Sequence, residues 1–222
     1  MNAPNKHTAF NVDAFWPAKR LRGSLRNQPA DAAPAEFLVL ALPGFSQLCL
    51  SSLIDPLRIA NSLSGRDQFR WRLVSLDGAP VECASGLSMA VSGSFLEHQK
   101  AMALDPACAI VICAGEGVEK YGSHELRAAL RRAHRARVPL YALGTATWLL
   151  AESALLNDIK CTIHWGKMAA LSDSFYDLAV DDALFVRVGG IVTCAGELAA
   201  FDLAQVTMPP SRTNSASSTA RS

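Results

Sequence analysis

The chain has 222 residues, half of them hydrophobic and 18% charged, with a formal net charge of +1. A charge so near zero argues against a protein that holds nucleic acid through its own basic field. No apolar run approaches the roughly 18 residues that cross a bilayer, and the first 35 residues lack the apolar core of a secretory leader, so a cytoplasmic protein is expected.

Residues 1–35 mix Ala, Pro and Asn with Lys19, Arg20, Arg22 and Arg26 and show no sustained period. A disordered extension is expected there. Three short, nearly continuous apolar runs follow at 36–42 (EFLVLAL), 109–113 (AIVIC) and 138–143 (VPLYAL). Runs apolar on both faces suit strands of a parallel sheet covered by helices on each side. The stretch 69–76 (FRWRLVSL) opens with alternation and belongs nearer an edge.

Leu50, Leu53, Ile54 and Leu57 make a helical stripe interrupted by Asp55-Pro56. Proline there either kinks the helix or opens a new one capped by Asp55. Leu126, Ala129, Leu130 and Ala133 recur at i, i+3, i+4 and i+7, with Ser123 as N-cap. The outer face of that helix carries Arg127, Arg131, Arg132, Arg135 and Arg137, which the balanced total charge reads as a solvated face. VRVGGIVT reads as a hairpin with Gly189-Gly190 supplying the positive φ angles of a primed turn. A last helix is expected over 195–206, and the Ser/Thr-rich stretch 209–222 should be a loose tail. The order of elements predicts a three-layer α/β/α fold.

Six cysteines at low density, one of them inside an apolar run, read as reduced thiols. His98, His124 and His134 lack metal-ligand spacing and no CxxC occurs, so neither a metal nor another cofactor is expected. In an open parallel sheet, ligands bind outside the carboxyl ends of the strands. The residues after the three apolar runs are therefore the candidates: Gly44 and Phe45, Gly115 and Glu116, and Gly144 and Thr145. Glycine lets the backbone approach a ligand closely and leaves N–H groups free at helix starts.

Five markers in order make the chain recognisable: the PGF turn at 43–45, Asp55-Pro56-Leu57-Arg58, the LAESALL helix at 150–156, Thr162-Ile163-His164-Trp165, and Thr193-Cys194-Ala195-Gly196. Over about residues 37–208, within a domain expected over 36–208, the sequence resembles the ThiJ/PfpI superfamily. More narrowly, it resembles the sensor domain of GlxA-type regulators of the AraC family. The resemblance implies a flavodoxin-like, class I glutamine amidotransferase-like domain that forms a homodimer. It also implies a ligand of the amine, amino acid or betaine class and makes His164-Trp165 a recurrent pair without assigning it chemistry: the pair either lines the pocket or packs the segment after the elbow helix.

Two departures set the expected function. Catalytic members of the superfamily present a cysteine at a strand-to-helix elbow, where the helix N-terminus favours the thiolate. Here the aligned residues are Gly144-Thr145-Ala146, so no nucleophile and no catalytic residue is expected. The supporting carboxylate also lacks a clear counterpart, and Cys49 lies near its position. Secondly, the regulators carry two helix-turn-helix units after the sensor domain, and this sequence stops about where they would begin. A non-catalytic, metabolite-binding domain of such a regulator, lacking the DNA-binding part and so not touching nucleic acid itself, is the expectation. The alternatives are a hydrolase or glyoxalase-like enzyme using Cys113 or Cys161, and a module whose only role is dimerisation.

Overall fold

A strand with no polar face belongs in the middle of a sheet, where helices cover both sides. The computed structural model describes residues 33–102 and 108–207. In chain order they form β1 (Ala35–Ala41), α1 (Gln47–Ser64) and β2 (Phe69–Val74), then the small hairpin of β3 (Val81–Glu82) and β4 (Ser88–Met89). Next come α2 (Phe95–Met102), β5 (Cys108–Ala114), α3 (His124–Arg135), β6 (Leu140–Gly144) and α4 (Thr147–Glu152). The chain continues through β7 (Lys160–Cys161), α5 (Met168–Ser174), β8 (Ala179–Val180), β9 (Phe185–Val188), β10 (Ile191–Cys194) and α6 (Ala199–Thr207).

The main sheet runs β2-β1-β5-β6-β10-β9, parallel throughout except for β9, which pairs antiparallel with β10. In order of appearance its parallel strands read 2-1-3-4-5, the flavodoxin-like arrangement. All seven residues of β5 and all five of β6 are buried. The edge strand β2 is buried only at Phe69 and Val74, with Arg70 and Arg72 exposed and Trp71 and Leu73 half-buried between them. Leu38, Leu40, Ile110, Ile112 and Leu140 pack beneath α3 and α4 through Leu126, Leu130, Leu149 and Leu150. Each such fully buried aliphatic side chain stabilises the fold by roughly 1.5–3 kcal/mol. The helices α1 and α6 pack against one another. The fold is the three-layer α/β/α, flavodoxin-like domain expected.

The helix α3 forms as its periodicity predicts, with Ser123 Oγ accepting from the Leu126 N–H at 3.1 Å. Four details differ from expectation. No new helix opens at Asp55-Pro56: the first helix begins at Gln47 with Ser46 as N-cap and runs through a buried Pro56 to Ser64. Burial of Leu50, Leu53, Leu57 and Ala60 along one stripe outweighs the one backbone donor that proline removes, and Asp55 instead pairs with Arg58 at 2.8 Å. In the hairpin only Gly189 takes a positive φ, of 58°, where positive angles at both glycines were expected. The last helix starts at Ala199 because Gly196 and Glu197, at φ 95° and 50°, turn the chain first. The LAESALL helix stops at Glu152, with Ala154 at φ 53° beyond it. Of the expected extension over 1–35, residues 1–32 lie outside the described residues and Ala35 already belongs to β1; the expected tail, 209–222, also lies outside them.

Candidate functional site

The strand order reverses between β1 and β5, and the loops leaving their carboxyl ends meet there. A Cβ on Gly115 would lie 1.8 Å from the Gly44 carbonyl oxygen, so the two backbones touch where only glycine fits. Thr145 ties the third loop to them, its Oγ1 donating to the Gly115 carbonyl and its N–H to Ala114 O at 3.3 Å. The His164 N–H donates to Gly144 O at 3.0 Å. Gly44, Gly115, Gly144, Thr145 and His164 are therefore joined at one end of the sheet.

The other candidates are placed differently. Phe45 is fully buried and packs inward, while its carbonyl accepts from the Ala84 N–H at 2.9 Å. Glu116 is exposed on the loop after β5. His164 Nδ1 accepts from the Gly166 N–H at 3.2 Å, which leaves Nε2 as the ring's donor in the neutral form. Trp165 stacks on His164 with ring centroids 5.3 Å apart but is 79% exposed, so it stands out from the surface rather than closing a wall. The segment carrying this pair is anchored to the loop after β5 by Lys167, 3.1 Å from Glu119 and 5.8 Å from the Trp148 ring centroid.

Gly144 ends β6 at φ 69°, a conformation that favours glycine. Ala114 O lies 2.7 Å from where its Cβ would be, and a Cβ on Gly196 would lie 2.9 Å from Gly144 Cα. The elbow is thus enclosed by backbone on two sides. After β10, Gly196 was read only as part of a marker, and Glu197 escaped the sequence reading, as did Ser46. Ser46 Oγ donates to Glu197 Oε2 at 2.9 Å and accepts from the Cys49 N–H at 3.2 Å. The signal was present: β10 is a fourth strand whose carboxyl end is followed by glycine, in Cys-Ala-Gly-Glu.

All six cysteines are free and buried. Burial pushes the Cys113 thiol up to about 12 and those of Cys161 and Cys194 up to about 11. Cys49 is raised as well, by burial and then by the neighbouring Cys113 and Cys194. Cys83 differs, since the Ser85 hydroxyl 3.1 Å from its Sγ lowers its pKa. Among the described residues no group of three or more His, Cys, Asp or Glu is placed to hold a metal ion. None of their helices is long and apolar enough to cross a membrane.

A groove of about 440 Å³ borders the site, lined by Ser46, Gln47, Leu48, Ser51, Ala84 and Ser85. A second groove, of about 370 Å³, lies by Glu36, Asn61, Asp67 and Arg70, where β1 and β2 begin, and is remote from the glycine loops.

The sequence profile of the DJ-1/PfpI family matches residues 31–208. The chain is 31% identical over 175 residues to the HTH-type transcriptional regulator GbdR of Pseudomonas aeruginosa, covering 79% of this chain and 46% of that protein. It is 30% identical over 165 residues to the HTH-type transcriptional regulator GlxA of Rhizobium meliloti, covering 74% and 49%. The chain spans about half the length of these relatives. A crystal structure of an AraC family transcriptional regulator from Pseudomonas putida shares the fold with a TM-score of 0.66 at 24% identity, over 77% of this chain and 89% of that one.

Proposed function

The chain belongs to the DJ-1/PfpI family, and on that premise we propose that residues 36–208 are the small-metabolite sensor of a GlxA/AraC-type transcriptional regulator, without catalytic activity. The observation that carries this reading is Gly144. It occupies the positive-φ elbow with no side chain, hemmed by Ala114 O and Gly196. A binding site needs only shape and polar contacts there, whereas covalent catalysis needs a nucleophile activated by a base.

The thiols of the enzymatic alternative fit poorly. Cys113 and Cys161 are 1% and 0% exposed and their pKa values are raised by burial, which suppresses the reactive thiolate. The ligand is of the amine, amino acid or betaine class, received beside Ser46, Gly115, Thr145 and Glu197. The domain works as a homodimer in the cytoplasm. The HTH-type transcriptional regulators to which this chain is similar support the regulatory part of this reading.

A thermal-shift screen of the purified chain against amines, betaines, amino acids and aldehydes tests it. One chemical class should raise the melting temperature in a dose-dependent way. At a hundredfold excess over Kd the gain is about 2.7 kcal/mol. A stable fold that no compound shifts would oppose a working sensor and favour a module whose only role is dimerisation.

A further inference from the structure

The cationic half of α3 is the feature that the sensor reading leaves unused. From Arg131 onward the helix and its exit carry Arg131, Arg132, His134, Arg135 and Arg137 and no acidic residue. Arg132, His134, Arg135 and Arg137 are exposed and Arg131 is half-buried. Among the described residues none of these four arginines makes a salt bridge or a side-chain hydrogen bond. By contrast Arg127, one turn earlier, donates to Gly122 O and lies 3.7 Å from Glu152. Cations at a helix C-terminus gain from its dipole, and one or two residues suffice for that. Four unpaired guanidinium groups within seven residues repel one another, and an anionic partner would relieve this.

Topology adds where such a partner would lie. The helix α3 runs back from the carboxyl end of β5 and delivers Arg135 and Arg137 beside the start of β6, where Pro139 O accepts from the Ile110 N–H at 2.9 Å. On the opposite face α6 leaves the carboxyl end of β10 and runs back in the same sense, toward the ends where the parallel strands begin. The arginines therefore sit toward the end of the sheet to which α6 directs the chain. Guanidinium groups suit phosphate through bidentate hydrogen bonds. Along the helix axis Arg131 and Arg135 are about 6 Å apart, at about 1.5 Å per residue.

We propose that the arginine end of α3 is a sequence-independent contact surface for the phosphate backbone of duplex DNA. The choice of DNA rests on the regulator reading above. The solvated face expected from net charge becomes a docking surface because its arginines are clustered and unpaired, which a whole-chain charge of +1 conceals. Such contacts position a protein on the duplex and carry no sequence information.

Fluorescence anisotropy of the full chain with a labelled, mixed-sequence duplex of about 30 base pairs tests the proposal, from about 50 to 200 mM salt. Weak binding that falls steeply with salt is expected. R131A/R132A/R135A/R137A should weaken it at least tenfold at the lowest salt, on the order of the loss expected for several phosphate contacts. R70A/R72A, on β2, should leave it unchanged. The milder R131Q/R135Q variant should show an intermediate loss and covers the case in which the fourfold variant fails to fold. Absence of binding by the wild-type chain at the lowest salt, or equal binding by the arginine variants, would overturn the proposal. So would equally tight binding of polyglutamate of matched charge, which would make the partner an acidic protein. The thermal-shift response to ligand should survive in R131Q/R135Q, so failure of this surface and failure of the sensor reading are separately visible.

Discussion

Replacing Gly115 by alanine is expected to cost about 2–3 kcal/mol of stability, as forced overpacking of a close-packed site does. The added Cβ would sit 1.8 Å from Gly44 O, 2.7 Å from Gly44 C and 3.3 Å from Phe45 N. All three are backbone atoms, so no side-chain rotation relieves the clash, and the loops after β1 and β5 must part by roughly 1.2 Å even to reach 3.0 Å. Parting is resisted because the Gly44 N–H donates to Glu82 O and the Leu42 N–H to Cys113 O, at 2.9 and 3.0 Å. It would also disturb the Thr145 hydroxyl bond to Gly115 O. At this chain length the loss corresponds to roughly 4–12 °C in Tm. G190A is the control, since Gly190 has nothing within 4 Å of its Cβ position and no positive φ. Its Tm should stay close to the wild-type value. A G115A chain that melts with the wild type would show that these two loops do not meet.

Stability should also fall steeply in mild alkali, and buried thiols are the cause. The ordinary thiol value is 9.0, whereas Cys113 is pushed up to about 12 and Cys161 and Cys194 to about 11, by burial in each case. The fold therefore favours the neutral thiol. Below pH 9 both folded and unfolded chains hold these protons, and the stabilisation is fully present. Above it the unfolded chain releases them first, and stability is lost until the folded pKa values near 11 and 12 are passed. Each thiol contributes a slope of about 1.4 kcal/mol per pH unit in that window, so these three remove on the order of 4 kcal/mol per unit, and Cys49, raised as well, adds to the loss. Urea unfolding at about pH 8 and about pH 10 measures this directly. C194A should flatten the dependence by one thiol's share. A stability that is level between those two conditions would contradict the burial of these groups.

Much of the fold was legible because its signals are local. A fully apolar run such as 109–113 (AIVIC) has no place except the centre of a covered sheet, and the strand extends it by one residue at each end, to Cys108–Ala114. The spacing of Leu126, Leu130 and Ala133 with Ser123 ahead of them specifies a capped amphipathic helix. The continuous α1 was harder to read. Proline removes one backbone bond locally, while the packing of Leu50, Leu53, Leu57 and Ala60 that overrides this is set by the sheet beneath.

The site was legible by rule only in part. Glycine after a strand located Gly44, Gly115 and Gly144, yet the contact between Gly115 and Gly44 joins residues 71 positions apart and has no local trace. The bond from Ser46 to Glu197 spans 151 positions. Reading His164-Trp165 as a pocket pair located the His164 backbone beside the elbow, while Trp165 turned out exposed. Exposure depends on how the following 3₁₀ turn, Trp165–Lys167, is tied down by Lys167, and sequence spacing does not report that.

We propose that this site binds a metabolite and leaves it unchanged. Equilibrium dialysis against the compound that most raises the melting temperature, followed by mass spectrometry of the ligand on both sides, measures both halves of it at once. Saturable accumulation with the chain, and recovery of the ligand chemically intact after prolonged incubation, is the predicted result. Steady conversion of the compound to a product, abolished in C113A or C161A, would contradict the account and establish an enzyme with a displaced nucleophile.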